Sequence, residues 1–132
     1  MRNVLAVLVT ALMLSALPAA AQKPGQTASQ FYMDYRAAWV AAKTMDPVLP
    51  YIAKESRAQF ESTPSDKKQA MFEMMKTMGA LTDLKIVKET KTADGYVLDM
   101  TAVGPDKRPL TGTAEIVVED GAMKLKKEGW KG

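Results

Sequence analysis

The sequence contains no cysteine and no histidine. The missing cysteine excludes disulfides, thiol nucleophiles and a cysteine-linked lipid. The two absences together exclude Cys/His zinc sites and every triad built on imidazole. There is no phosphate-binding loop and no dinucleotide fingerprint. Charge of one sign is also scarce: 18 Lys and Arg stand against 15 Asp and Glu, a net +3 over 132 residues. No stripe of basic residues interleaved with aromatics accompanies that surplus, so nucleic acid is not an expected partner. Chemistry is left to carboxylates, tyrosine, lysine and hydroxyls.

Long apolar runs are missing too, except one at the start. Residues 4–17 are nearly all apolar behind Met1-Arg2, and Ala19-Ala20-Ala21 offers a small-residue cleavage site. This pattern predicts a secretory signal peptide over residues 1–21, cut after Ala21, and a periplasmic or secreted protein. The run falls short of the roughly 18 residues a membrane anchor needs, so none is expected. Residues 22–28, with Pro24 and Gly25, read as a flexible leader. Residues 29–132 are the length of one domain.

What is present is organised around the C-terminal third. Asp120-Gly121 between alternating runs predicts a tight hairpin, with Val118 opposite Met123, Ile116 opposite Leu125 and Glu115 opposite Lys126. Upstream, Leu84 and Ile86, then Leu98, Met100 and Ala102, alternate with polar residues as half-buried strands do. A three-residue loop at Ala93-Asp94-Gly95, with Gly95 left-handed, would bring those residues to one face; a two-residue loop would not. Leu110, Ala114, Ile116 and Val118 join that face. The expectation is a four-stranded antiparallel meander with one apolar side, covered by the N-terminal half.

That half reads as three helices. Ser29 is a candidate N-cap for a helix over 29–43, whose stripe is Phe31, Tyr32, Tyr35, Trp39 and Ala42. Asp46-Pro47 opens a second, with Val48, Leu49, Ile52 and Phe60 inward. Thr63-Pro64-Ser65-Asp66 opens a third, carrying Met71, Phe72, Met74, Met75 and Met78 to a stop at Gly79. Thioethers at that spacing can hold Cu(I), but the same face is what a core or pocket wall requires, and no His or Cys completes a copper site. No metal and no cofactor is expected.

On the other face of the sheet the same register lines up Glu89, Asp99 and Glu115, with Lys126 at the end of the row. It also places Val87, Val97, Val103, Val117 and Trp130 there, a candidate homodimer surface. Trp130 would turn inward only if Gly129 bulged.

Helices followed by a meander ending in Val117-Val118-Glu119-Asp120-Gly121-Ala122-Met123-Lys124-Leu125, then Glu128 and Trp130, resemble the nuclear transport factor 2-like superfamily. The opening Phe31-Tyr32, Tyr35, Ala37 or Ala38 and Asp46 is similar to its small exported bacterial members. Met123 stands where those proteins often have Trp. The resemblance implies a cystatin-like, cone-shaped α+β fold: a curved sheet wrapped around the first helix, with a pocket at one end. It covers both enzymes and binding modules, and the enzymes generally rely on a His or on a buried Asp with Tyr. With no His, no catalytic residue carries over.

The fold class is therefore α+β. The leading functional expectation is an exported non-enzymatic module that binds a small apolar ligand or a protein partner. Its expected pocket wall is Tyr32, Tyr35, Trp39, Met71, Met75, Met78, Leu98 and Met100. One alternative is a small isomerase or hydro-lyase, with Tyr32 or Tyr35 polarising a carbonyl and Asp34 or Asp99 as base. Another is a structural envelope protein assembling through its sheet face.

Overall fold

A computed structural model describes residues 25–132, the side chain of Met78 excepted. The expected signal peptide and residues 22–24 of the leader lie outside the described residues, as does the pocket-wall role of Met78. Three helices precede the sheet: α1 (Ala28–Ala41), α2 (Lys54–Glu61) and α3 (Ser65–Met78). The strands are β1 (Thr82–Lys91), β2 (Gly95–Val103), β3 (Pro109–Glu119) and β4 (Ala122–Lys131). They form one open antiparallel sheet in sequence order, so β1 and β4 are its edges.

The helix α1 begins with an N-cap two residues before Ser29. Thr27 is the N-cap, and Thr27 and Gln30 make a reciprocal capping box. Phe31, Tyr32, Tyr35 and Trp39 are buried along one side of α1. Opposite them lie Leu98 and Met100 of β2, Ala114 and Ile116 of β3, and Met123 and Leu125 of β4, all in the same buried cluster.

The second helix starts later than expected. Pro50 has no N–H to return to the carbonyl of Asp46, so a helix opened at Pro47 cannot propagate. A 3-10 turn forms instead at Leu49–Tyr51. Tyr51 packs on Phe31 and Tyr35 with ring centroids 5.9 and 6.1 Å apart. Ile52 then bridges in parallel to Leu125, and the Ala53 N–H donates to Leu125 O at 2.8 Å. This short segment covers part of the open edge of β4.

The third helix does not bury Met71, Met74 or Met75. Phe72 is its buried residue, edge-on to Trp39 at 5.3 Å, while Met74 and Met75 are 58% and 37% exposed. The helix docks on the end of α1 rather than presenting the methionine face. Lys76 Nζ donates to Trp39 O, Val40 O and Ala42 O at 2.7, 3.0 and 3.0 Å. Those three bonds satisfy the open carbonyls of α1 and oppose its negative dipole end.

In the sheet, the Asp120-Gly121 turn is as expected, with φ of 52° and 79°. The β2–β3 ladder is regular from Gly95↔Val117 to Val103↔Pro109. The β1–β2 connection differs from the expected loop. Lys91 pairs with Tyr96, and Thr92 N–H donates to Gly95 O at 2.8 Å, so the turn is the two residues Ala93-Asp94. Gly95 is not left-handed. Its role is close approach, since a Cβ there would lie 1.9 Å from Ile116 O.

The face parity that the loop was expected to correct is corrected inside the strand. Ile86 pairs with Met100 but Lys88 pairs with Asp99, leaving Val87 as an extra, bulged residue. β1 has a further register shift between Thr82 and Lys85, and β4 has a bulge of its own, where Ile116 pairs with Leu125 but Glu115 pairs with Lys127, leaving Lys126 extra. Each bulge inverts the face of everything beyond it.

The row of acids is therefore not formed. Glu89 pairs with Leu98 and stands on the helix side, Asp99 pairs with Thr113, and Glu115 pairs with Val97 and Lys127. Among the described residues, no group of carboxylates gathers in a metal-holding arrangement. Trp130 is likewise not on the outer face: it pairs with Gly112 and packs against the buried cluster. Val118, expected on the buried face, is half exposed at the hairpin end.

Candidate functional site

The bulge at Lys126 brings two side chains under α1 that a regular strand would have turned outward. Glu128 and Trp130 both face the helix. Trp130 lies flat over Gly112, where a Cβ would fall 2.5 Å from the indole ring, so only glycine leaves room for it. The carbonyl of Lys126, freed by the bulge, accepts the Ser56 hydroxyl at 3.0 Å.

Glu128 is the centre of a compact network. Its Oε2 accepts Tyr32 Oη at 2.5 Å and Trp130 Nε1 at 2.9 Å, and its Oε1 accepts Tyr35 Oη at 3.4 Å. Arg36 Nη1 approaches Oε2 at 3.9 Å, and the two charged side chains are 11% and 15% exposed. Burial is the main reason the Tyr32 hydroxyl titrates well above the ordinary tyrosine range; the negative charge of Glu128 adds to it and Arg36 opposes. Tyr35 is raised for the same first reason, with Glu128 again second. Both tyrosines therefore remain proton donors to the carboxylate at any ordinary pH.

Arg36 faces two ways. Beyond Glu128, its Nη2 donates to Gly79 O at 3.1 Å, at the end of α3. It also lies on the wall of a cleft of about 450 Å³ that opens where α1, α3 and the β2–β3 loop meet. Trp39, Val40, Leu81, Val103 and Pro105 give the cleft its apolar wall, and Arg36, Lys76 and Lys107 its charge. Among the described residues no carboxylate lines it. Asp106, next to Lys107 in the chain, is held by Arg108 Nε at 2.6 Å.

The sequence-derived pocket wall separates into three groups. Tyr32, Tyr35, Leu98 and Met100 come together, but as packed core, each buried among the others. Trp39 belongs to both the core and the cleft. Met71 is half-buried and Met75 exposed on α3. The residues considered for acid–base work are not brought together. Asp34 accepts Gln26 Nε2 at 2.6 Å, and Asp99 is on the sheet face away from the helices, beside Thr113 and Lys88. The acid that does reach the tyrosines is Glu128, whose oxygens already take three donors.

Sequence reasoning missed Glu128 and Arg36. The signal for Glu128 was the mismatch between odd-numbered Met123 and Leu125 and even-numbered Trp130, which requires one extra residue between them. For Arg36 it was a cation set within the aromatic stripe, four residues after Tyr32 and three before Trp39.

No protein-family model matches the chain, and no curated protein does. Among solved structures, a similar chain is a SEC-C motif containing protein from Rhodopseudomonas palustris, solved in solution. It is 12% identical, with a TM-score of 0.57 over 91% of this chain and 86% of that one. At that identity the likeness shows the α+β fold alone. Among the described residues no helix is long and apolar enough to cross a membrane.

Proposed function

We propose that this chain is an exported, non-enzymatic module of nuclear transport factor 2-like type that binds a small, largely apolar ligand in the cleft beside Trp39. The observation that carries the reading is the cleft itself. Its volume of about 450 Å³ falls in the range usual for small-molecule sites, and its apolar wall is interrupted by a few fixed polar groups. The Glu128 network supports a binding role over a catalytic one. A general base must reach the substrate with a free lone pair, whereas this carboxylate is engaged by two tyrosines and a tryptophan. Export rests on the pattern of residues 1–21.

Trp39 offers the test, because the chain has only two tryptophans. In the Trp130→Phe protein, 1-octanol should change the remaining emission saturably. Ala80→Trp, which places an indole in the cleft opening, should abolish octanol binding measured by calorimetry. A linear, unsaturable response with no effect of the Ala80 substitution would reject the site.

A second reading, pairing of two copies through the outer sheet face, is favoured by Val87, which is 67% exposed beside half-buried Val97 and Val117, whereas Val103 lines the cleft. The surface no longer includes Trp130. Lysines on both edge strands, Lys85 and Lys88 on β1 and Lys127 and Lys131 on β4, oppose edge-to-edge pairing but leave a face-to-face contact open. Sedimentation as a monomer at high concentration would remove this reading.

A further inference from the structure

Resting on the cleft reading above, we infer that the ligand is an anionic amphiphile: an apolar body carrying one carboxylate, received at Arg36 and Lys107. The argument starts from where the donors go. Lys76 contributes charge but no free donor, since its three N–H groups are aimed at the three carbonyls that end α1. Arg36 is different. A guanidinium has five N–H donors, and among the described residues the one hydrogen bond Arg36 makes is to Gly79 O. Glu128 gives it a counter-charge at 3.9 Å, beyond hydrogen-bond range, because Tyr32 and Trp130 already occupy Oε2 at shorter distance. Arg36 is thus held in place, charge-balanced well enough to tolerate near-burial, and left with unspent donors on the wall of an apolar cleft. A planar fork in that state matches a carboxylate bidentately.

The rest of the lining agrees. With three cations and no acid, the cleft attracts an anion and repels a cation. Lys107, exposed in the β2–β3 loop with φ of 65°, stands on the loop side of the cleft with its ammonium free to meet a headgroup. Val103 and Pro105 line the same cleft and supply contact for a chain. A neutral ligand would leave the Arg36 donors without a protein or ligand acceptor; a carboxylate would use them.

Calorimetry with three eight-carbon probes separates this inference from the cleft reading beneath it. Octanoate should bind the protein about tenfold more tightly than 1-octanol, as expected for one charge-assisted pair, and octylammonium should bind less well than either. Arg36→Lys keeps the counter-charge to Glu128 but loses the fork, and should weaken octanoate far more than octanol, cutting the octanoate preference several-fold. Lys107→Asn, a residue that accepts the left-handed backbone, should reduce the preference by about threefold and flatten its salt dependence. Equal binding of octanoate and octanol would overturn the inference and leave the cleft standing. Binding of none of the three would overturn both.

Discussion

The two edge strands carry the same device with different consequences. In β1 the bulge at Val87 turns Glu89 toward α1; in β4 the bulge at Lys126 turns Glu128 toward it. Glu89 arrives at the exposed start of the helix, where its Oε1 accepts both the N–H and the hydroxyl of Ser29 at 2.9 and 2.7 Å. It caps a positive dipole end in water. Glu128 arrives beneath the middle of the helix, among Tyr32, Tyr35, Arg36 and Trp130. The same parity inversion thus yields a solvent-screened cap in one place and a nearly dry polar network in the other. The difference is depth along the sheet: what surrounds the carboxylate decides its worth, more than the backbone irregularity that delivers it.

The sharpest way to break the comparison is Glu128→Ala. It strands two hydroxyls, an indole N–H and a guanidinium, and should destabilise by about 3 kcal/mol or more in urea denaturation. Glu128→Gln, which keeps an acceptor, should lose clearly less. Equal losses would show that the negative charge, and not side-chain volume or a neutral acceptor, carries the contribution.

Alkaline pH probes the same network from the donor side. Unfolded tyrosines ionise near pH 10, whereas folding holds the Tyr32 and Tyr35 protons to higher pH. The folded state therefore keeps more protons above that point, and stability falls as pH rises. The decline should begin near pH 10 and approach about 1.4 kcal/mol per pH unit for each tyrosine. Tyr35→Phe should make it shallower; an unchanged slope would remove Tyr35 from the network.

At the other edge, Glu89→Ala should lower stability by only about 1 kcal/mol. That loss should shrink in high salt, which screens an exposed cap, whereas the Glu128→Ala loss should not. Matching salt responses would erase the contrast between the two sites.

The smallest effect is expected from deleting Lys126. Its removal leaves a regular strand in which Glu128 still faces the helix and Trp130 stays half-buried. The loss is then about 1 kcal/mol, from the bond to Ser56. A red shift of tryptophan emission on deletion would show that the bulge lies elsewhere.

Much of this architecture was legible in residue order. The α1 stripe, the Asp120-Gly121 turn, the meander and the inward set Leu98, Met100, Ala114 and Ile116 follow from periodicities of 3.6 and 2. The methionine face of α3 was not legible. Its spacing was that of a core face, yet among the described side chains of the helix Phe72 is the buried one, because the helix docks on the end of α1 through Trp39 and Lys76. The site was the least legible part. Period-two reading propagates a face assignment along a strand, so one uncounted residue reverses every assignment after it.

By itself, then, the sequence determined which elements form, in what order, and which apolar residues must meet, because those follow from local spacing and the need to bury apolar surface. Only the tertiary structure decided where the strands bulge. A bulge frees backbone groups that must find partners, and at Lys126 the partner is Ser56, 70 residues away. From that choice follow the inward turn of Glu128 and Trp130, the anchoring of Arg36, and the cleft that Arg36 lines.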